Sequence, residues 1–190
     1  MDEAAVALER SAPARMRLGM ALFLISEAFL FGSLFTAYYY LRSEAPVWPP
    51  AGVEIDSTLA IINTVLLLSS SGAIWWAVRS ARRGGENSLA AGLAITMVLA
   101  AAFLGITFFE WTHENFTPWT SAYGSIFYTL TGFHALHVFG GVVLMLSLLT
   151  RTLRRDFASG DYTAVEVGSY YWHFVDFIWI IVFTSIFIIR

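Results

Sequence analysis

The sequence of 190 residues contains no cysteine. That excludes disulfides, iron–sulfur clusters, thiolate zinc sites and any cysteine-ligated copper centre. Charge is scarce: 13% of the residues are charged, against about a quarter in soluble domains. Lysine is missing altogether, so every basic residue other than histidine is an arginine. There is no phosphate-cradling glycine loop, no nucleophile elbow and no basic patch for nucleic acid, so soluble-phase catalysis has no candidate residues. What is present is apolar, with 57% hydrophobic and 16% aromatic residues and a mean hydropathy of +0.65. Such a chain is neither disordered nor a water-soluble globule; it is read as membrane-embedded.

A bilayer core of about 30 Å calls for roughly 20 apolar residues in a helix. Five stretches meet that length, at about Leu18–Leu41, Leu59–Val78, Leu89–Phe109, Ser125–Leu149 and Val167–Ile189. Prolines 46, 49 and 50, the Arg82-Arg83-Gly84-Gly85 run, Pro118 and the Arg154-Arg155-Asp156 run separate them. The short connections predict antiparallel neighbours in one bundle. The fold class is therefore an all-α integral membrane protein of five transmembrane helices, organised as a tail over 1–17 and a single domain over 18–190. The first stretch is read as a span and not a cleaved signal, because it is long, contains Glu27 and has no small-residue cleavage site after Tyr40.

Arginine placement gives an orientation. Arg10, Arg15, Arg17, Arg79, Arg82, Arg83, Arg151, Arg154 and Arg155 fall on one side, and Arg42 and Arg190 on the other. Nine against two predicts a cytoplasmic N-terminus and an outer C-terminus.

An ionisable group at membrane depth costs about 2.5–3.5 kcal/mol to insert, so each one requires a reason. Glu27 lies in the first span, with no arginine within a helical turn. His134 and His137 are three residues apart in the fourth span, and His173 and Asp176 repeat that spacing in the fifth, which puts each pair on one helical face. All five fall in one slab of the membrane. Ala28, Gly32, Gly132, Ala135, Gly140 and Gly141 would permit close helix approach, so a shared buried polar cluster among helices one, four and five is expected. Three readings of it stand: a structural network that fixes helix register, a proton-handling group beside a partner's pathway, or a metal or haem site. For the last, a bridged metal pair in a bundle uses Glu-x-x-His on two helices, which is absent, and the His134/His137 pair cannot by itself clamp one iron. Glu110 is expected at the outer interface as a solvated or loop-bonding carboxylate. Trp48, Trp111, Trp119 and Trp172 read as interfacial anchors. The Ser69–Gly72 run predicts a tight helix–helix contact, in this chain or against another subunit.

Three motifs then carry a family likeness. MALFLISEAFLF (20–31) resembles the glutamate-bearing helix of subunit III of the haem–copper oxidases, the cytochrome c oxidase subunit 3 family. AYGSIFYTLTGFHALHV (122–138) is similar to the family's Y-G-S…G-F-H-G-L-H-V signature, with Ala135 in place of the usual glycine. YYWHFVDFIW (170–179) resembles its terminal Y-W-H-F-V-D-x-x-W motif, and Trp48-Pro49-Pro50 and Glu110 also sit where the family has W-P-P and a carboxylate. The likeness runs from Arg17 onward, in the order of the short, five-helix bacterial form.

The resemblance implies a subunit with no redox centre, cofactor or metal of its own, packed beside subunit I in the cell membrane of a bacterium. Haems and copper would reside in partner subunits, since the catalytic subunit needs more histidine ligands than the four present here and the copper site of subunit II needs cysteine. It also implies contact with subunit II, small subunits or a respiratory supercomplex, structural phospholipid, and no nucleic acid. Its role would be to sustain proton uptake by a proton-pumping cytochrome c:oxygen oxidoreductase that reduces oxygen to water. Glu27 would be the characteristic buried carboxylate, with His134, His137, His173 and Asp176 around it. Two alternatives remain at this point: a subunit III-like component of a quinol oxidase or nitric oxide reductase, and an independent membrane metalloprotein using the Glu/His cluster.

Overall fold

The computed structural model describes residues 3–53, 55, 57–157 and 160–189, with side chains from residue 12 onward. Arg190 and the side chain of Arg10 lie outside the described residues. Five α-helices follow in order: α1 (Glu3–Glu44), α2 (Ser57–Ala81), α3 (Glu86–His113), α4 (Ala122–Leu153) and α5 (Thr163–Phe183), which closes in a π-helical turn over Thr184–Ile188. Among the described residues there is no strand. All five helices are long and apolar enough to cross a membrane.

Helices α1 to α4 outrun at both ends the apolar stretches that predict them, whereas α5 does so only at its start, Thr163, and its α-helical part stops at Phe183. Polar residues end a hydrophobic run but do not break backbone hydrogen bonding, so the helices continue into the polar layer. The largest extension is at α1, whose 42 residues include Pro13 and span about 63 Å, twice a bilayer core. The stretch read as a tail is helical from Glu3.

The helices do not pack simply in chain order. α2 and α3 form a tight hairpin, α4 lies against α3 and α5, and α5 also contacts α2; α1 rests mainly on α4 and α5. α5 is the most enclosed of the spans and α1 the least. Lipid tails are as apolar as leucine, so close approach and interhelical hydrogen bonds must hold such a bundle. Trp179 Nε1 donates to Thr64 Oγ1 at 2.9 Å, Trp172 Nε1 to Ser70 Oγ at 2.9 Å, and Asn63 Nδ2 to Thr107 Oγ1 at 3.1 Å. Tyr38 donates to the Ser185 carbonyl inside the π-helical turn at 2.8 Å and accepts from Trp48 Nε1 at 3.2 Å.

One sequence expectation is revised here, and one that left two partners open is decided. Trp172 is fully buried rather than interfacial, because Gly141 of α4 leaves room for its ring: a Cβ there would come within 2.5 Å of it. The serine run makes its contact inside this chain, with Ser70 and Ser71 turned to α5. At one end of the bundle Glu166 takes Arg17 of α1 at 3.1 Å and Arg82 at 2.8 Å. At the opposite end Arg42 donates to the Ile189 carbonyl at 3.0 Å.

Candidate functional site

The five ionisable groups predicted to share one cluster occupy three places. Between α1 and α4, His137 Nε2 lies 2.9 Å from Glu27 Oε2. The same imidazole has Nδ1 at 2.7 Å from the Phe133 carbonyl, which only accepts, so Nδ1 carries a hydrogen. The pair thus has two forms: a protonated Glu27 donating to a neutral ring, or an imidazolium donating to a carboxylate. They differ by one proton moved along the 2.9 Å contact. Phe31 packs edge-on against the ring at 4.9 Å, and Tyr171 of α5 donates to the His137 carbonyl at 2.9 Å.

Between α2 and α5, Ser71 Oγ is 2.9 Å from His173 Nδ1 and donates to Asp176 Oδ2. Asp176 is 4% exposed and its Oδ1 has no hydrogen-bond partner. The third place holds His134 alone, fully buried, with neither ring nitrogen hydrogen-bonded. Its ring lies between Phe103 and Trp179, at centroid distances of 5.6 and 4.9 Å. Among the described residues no hydrogen bond joins the three places.

The split has a geometric cause. Three residues turn a helix through about 300°, which leaves the two side chains roughly 60° apart. On α4, which packs against α3, α5 and α1, that angle sends His137 to α1 and His134 into the core. Of the small residues thought to bring helices together, Gly141 and Gly140 meet α5 side chains, whereas Gly32 has open space where a Cβ would be. Gly92 on α3 was missed; a Cβ there would lie 2.5 Å from that of Ala77. Its signal in the sequence was only that it is a glycine within a span.

Glu110 is 7% exposed, which corrects the solvated reading. Phe103, Thr107 and Glu110 recur at helical spacing and are all buried, so the carboxylate shares the inward face of α3. Ser71 and Tyr171 are the members of the sites that residue-type reasoning overlooked. Ser71 stood in the serine run noticed for packing, and Tyr171 within the terminal motif. No three His, Cys, Asp or Glu side chains among the described residues converge as a metal site would require.

Fold and sites together define a multi-pass helical membrane protein whose ionisable groups are paired or enclosed between spans. A sequence model of the family described as cytochrome c oxidase subunit III matches residues 8–189. The chain is 38% identical over 173 residues to a cytochrome c oxidase subunit 3 of Thermostichus vulcanus, covering 90% of this chain and 86% of that one. It is 38% identical over 182 residues to a probable cytochrome c oxidase subunit 3 of Nocardia farcinica, covering 94% and 90%. Against a cytochrome c oxidase subunit 3 of Equus caballus it is 37% identical over 180 residues, covering 90% of this chain and 69% of the horse protein. The chain belongs to the cytochrome c oxidase subunit III family and is a component of a multi-subunit haem–copper oxidase. A bacterial membrane fits its bacterial relatives.

Proposed function

We propose that the chain is the redox-free subunit III of a proton-pumping cytochrome c:oxygen oxidoreductase, packed against subunit I and sustaining proton uptake while oxygen is reduced next door. The observation that carries this reading is the match to the subunit III family over residues 8–189. The histidines support the redox-free part. His113 stacks on Phe109 at 4.0 Å, His134 is enclosed by aromatic rings, His137 is paired with Glu27, and His173 contacts Ser71.

The N-terminus faces the cytoplasm in this reading, which puts Arg17 and Arg82 at the side from which protons are drawn. The arginine-bearing loops shape the potential near the proton entry of subunit I. The exposed face of α1, with Leu22, Ile25 and Phe29, is covered by partner subunits or phospholipid. Haems and copper belong to the partners, with subunit II receiving electrons from cytochrome c.

The test is affinity capture of the chain from native membranes in mild detergent, with metal analysis and a reduced-minus-oxidised spectrum of the eluate. Haem and copper are expected to arrive with a larger multi-helix partner. A lone polypeptide holding its own stoichiometric metal overturns the proposal.

A further inference from the structure

Glu166, Ser169, His173 and Asp176 follow one another along α5 at spacings of three, four and three residues, one continuous helical stripe. The stripe begins at the arginine-rich end, where Glu166 holds Arg17 and Arg82, and ends on a carboxylate enclosed within the span. A cavity of about 330 Å³ opens between α2 and α5, lined by Glu166, Ser169 and His173 on one wall and Trp75, Arg79 and Arg82 on the other. That volume takes several water molecules, and Glu166, Ser169, His173, Arg79 and Arg82 supply polar partners for them in walls that are otherwise largely apolar. The cavity therefore reaches from the arginine-rich end to the imidazole that contacts Ser71, and Ser71 in turn contacts Asp176.

The hydroxyl between the two ionisable groups sets the direction of hydrogen bonding. Ser71 has one hydrogen, and when it donates to Asp176 Oδ2 the contact to His173 must be made with a hydrogen on Nδ1. The reverse arrangement uses the same contacts: a protonated Asp176 donates to Ser71, and Ser71 donates to a bare Nδ1. From the first arrangement, a proton from cavity water binds the free ring nitrogen Nε2. The Nδ1–H bond breaks as its hydrogen passes to Ser71 Oγ, and the former Ser71 hydrogen bonds to Asp176 Oδ2. The result is a neutral imidazole protonated on Nε2 and a neutral carboxylic acid, with one proton taken up and the heavy atoms in place.

We infer that Ser71, His173 and Asp176 form a proton-uptake site that loads from the arginine-rich end through the cavity between α2 and α5. It deepens the proton-handling part of the proposed function and rests on the membrane placement of that reading. The ionisable groups on the surrounding elements are Arg79 and Arg82 from the α2 side, Arg17 and Glu27 on α1, His134 and His137 on α4, and Glu166 and Tyr170 on α5 itself. The polar path contains no residue of the Glu27–His137 pair, so it is a separate device.

Infrared difference spectroscopy of the whole oxidase complex in lipid nanodiscs tests it. As the bath is acidified, a carboxylic-acid C=O band should appear and shift in D2O. The band should vanish in Asp176→Asn and move in frequency in Asp176→Glu, which carries the assignment where the asparagine variant does not assemble. Ser71→Ala should slow deuterium exchange of that band at least about tenfold, whereas Ser71→Thr, which keeps the hydroxyl, should stay within about twofold. A band indifferent to both Asp176 substitutions, or exchange as fast in Ser71→Ala as in the parent, overturns the site. Turnover and haem content read on the same samples separate the two proposals. Slowed exchange with full turnover upholds the relay and detaches it from the supporting role, whereas absence of haem from the parent complex strikes the proposed function instead.

Discussion

Glu27 and His137 depend on each other because neither has another charged partner at that depth. Glu27→Gln keeps a side chain that can hydrogen-bond the ring, so the complex should lose about 1 kcal/mol or less of stability and keep its haem. His137→Ala removes the partner and strands a carboxyl group, at a cost of about 1–3 kcal/mol. Thermal denaturation of the solubilised complex should rank the parent first, Glu27→Gln second and His137→Ala last, and the inverse order of the two variants would refute the pairing. His134 behaves differently. Its nitrogens make no hydrogen bonds inside a cage of aromatic rings, so His134→Phe should leave stability within about 1 kcal/mol of the parent. A loss of several kcal/mol would mean that the ring has a polar role. The sequence made these residues conspicuous through the cost of ionisable groups in lipid. It did not reveal their partners, because residues three apart diverge enough on a helix to face different neighbours. Ser71 shows the converse: a serine noticed only for packing became a site residue when α2 was seen against α5.

At the scale of single helices, spans and breaks were legible because apolar length and proline-, glycine- or arginine-rich punctuation are direct physical signals. Helix ends were less so, since backbone hydrogen bonding continues past the last apolar residue. Contacts between helices were legible only in part, and two glycines of α3 show why. At Gly92 an added methyl would collide with Ala77 of α2, while at Gly105 there is open space. Gly92→Ala should destabilise by about 1–3 kcal/mol, whereas Gly105→Ala should be neutral or gain up to about 1 kcal/mol of helix propensity. Equal effects in a thermal melt would contradict the α2–α3 packing. The start of α5 carries a pH dependence. Thr163 hydrogen-bonds the Asp161 carboxyl, its backbone amide at 2.9 Å, and this holds the group below its ordinary value of 3.8. The charged form is thus favoured in the folded state. Its contribution is complete above the unfolded value and is lost as the pH falls through the folded one. Protection of the amides in the first turn of α5, taken relative to the intrinsic exchange rate at each pH, should fall in acid, and at neutral pH in Asp161→Ala. Unchanged protection in both would remove this cap from the account.

Across the whole molecule, Glu166 joins three parts of the chain at the arginine-rich end by holding Arg17 and Arg82 at once. The arginines are about half exposed, at 52% and 61%, so each ion pair contributes no more than about 1 kcal/mol and is screened by salt. The stability difference between the parent and Glu166→Gln should therefore shrink as salt is raised toward about 1 M, where the screening length is about 3 Å. A difference independent of salt would assign Glu166 a role other than charge. Arginine counting in the sequence foresaw that these cations share one end, but nothing in the spacing foresaw a carboxylate between them.

The seating of α1 on α4 and α5 also bears on how the chain is made. Helix α1 is synthesised before its main neighbours α4 and α5, and Glu27 meets His137 across 110 residues. At about 5–20 residues per second, the interval is roughly 5–20 s. For that time a glutamate-bearing helix waits in the bilayer, or in the keeping of the insertion machinery, without its counterpart. Biogenesis, rather than the finished oxidase, is where this helix is most vulnerable, and a nascent chain stalled before α4 would be an early target for membrane quality control.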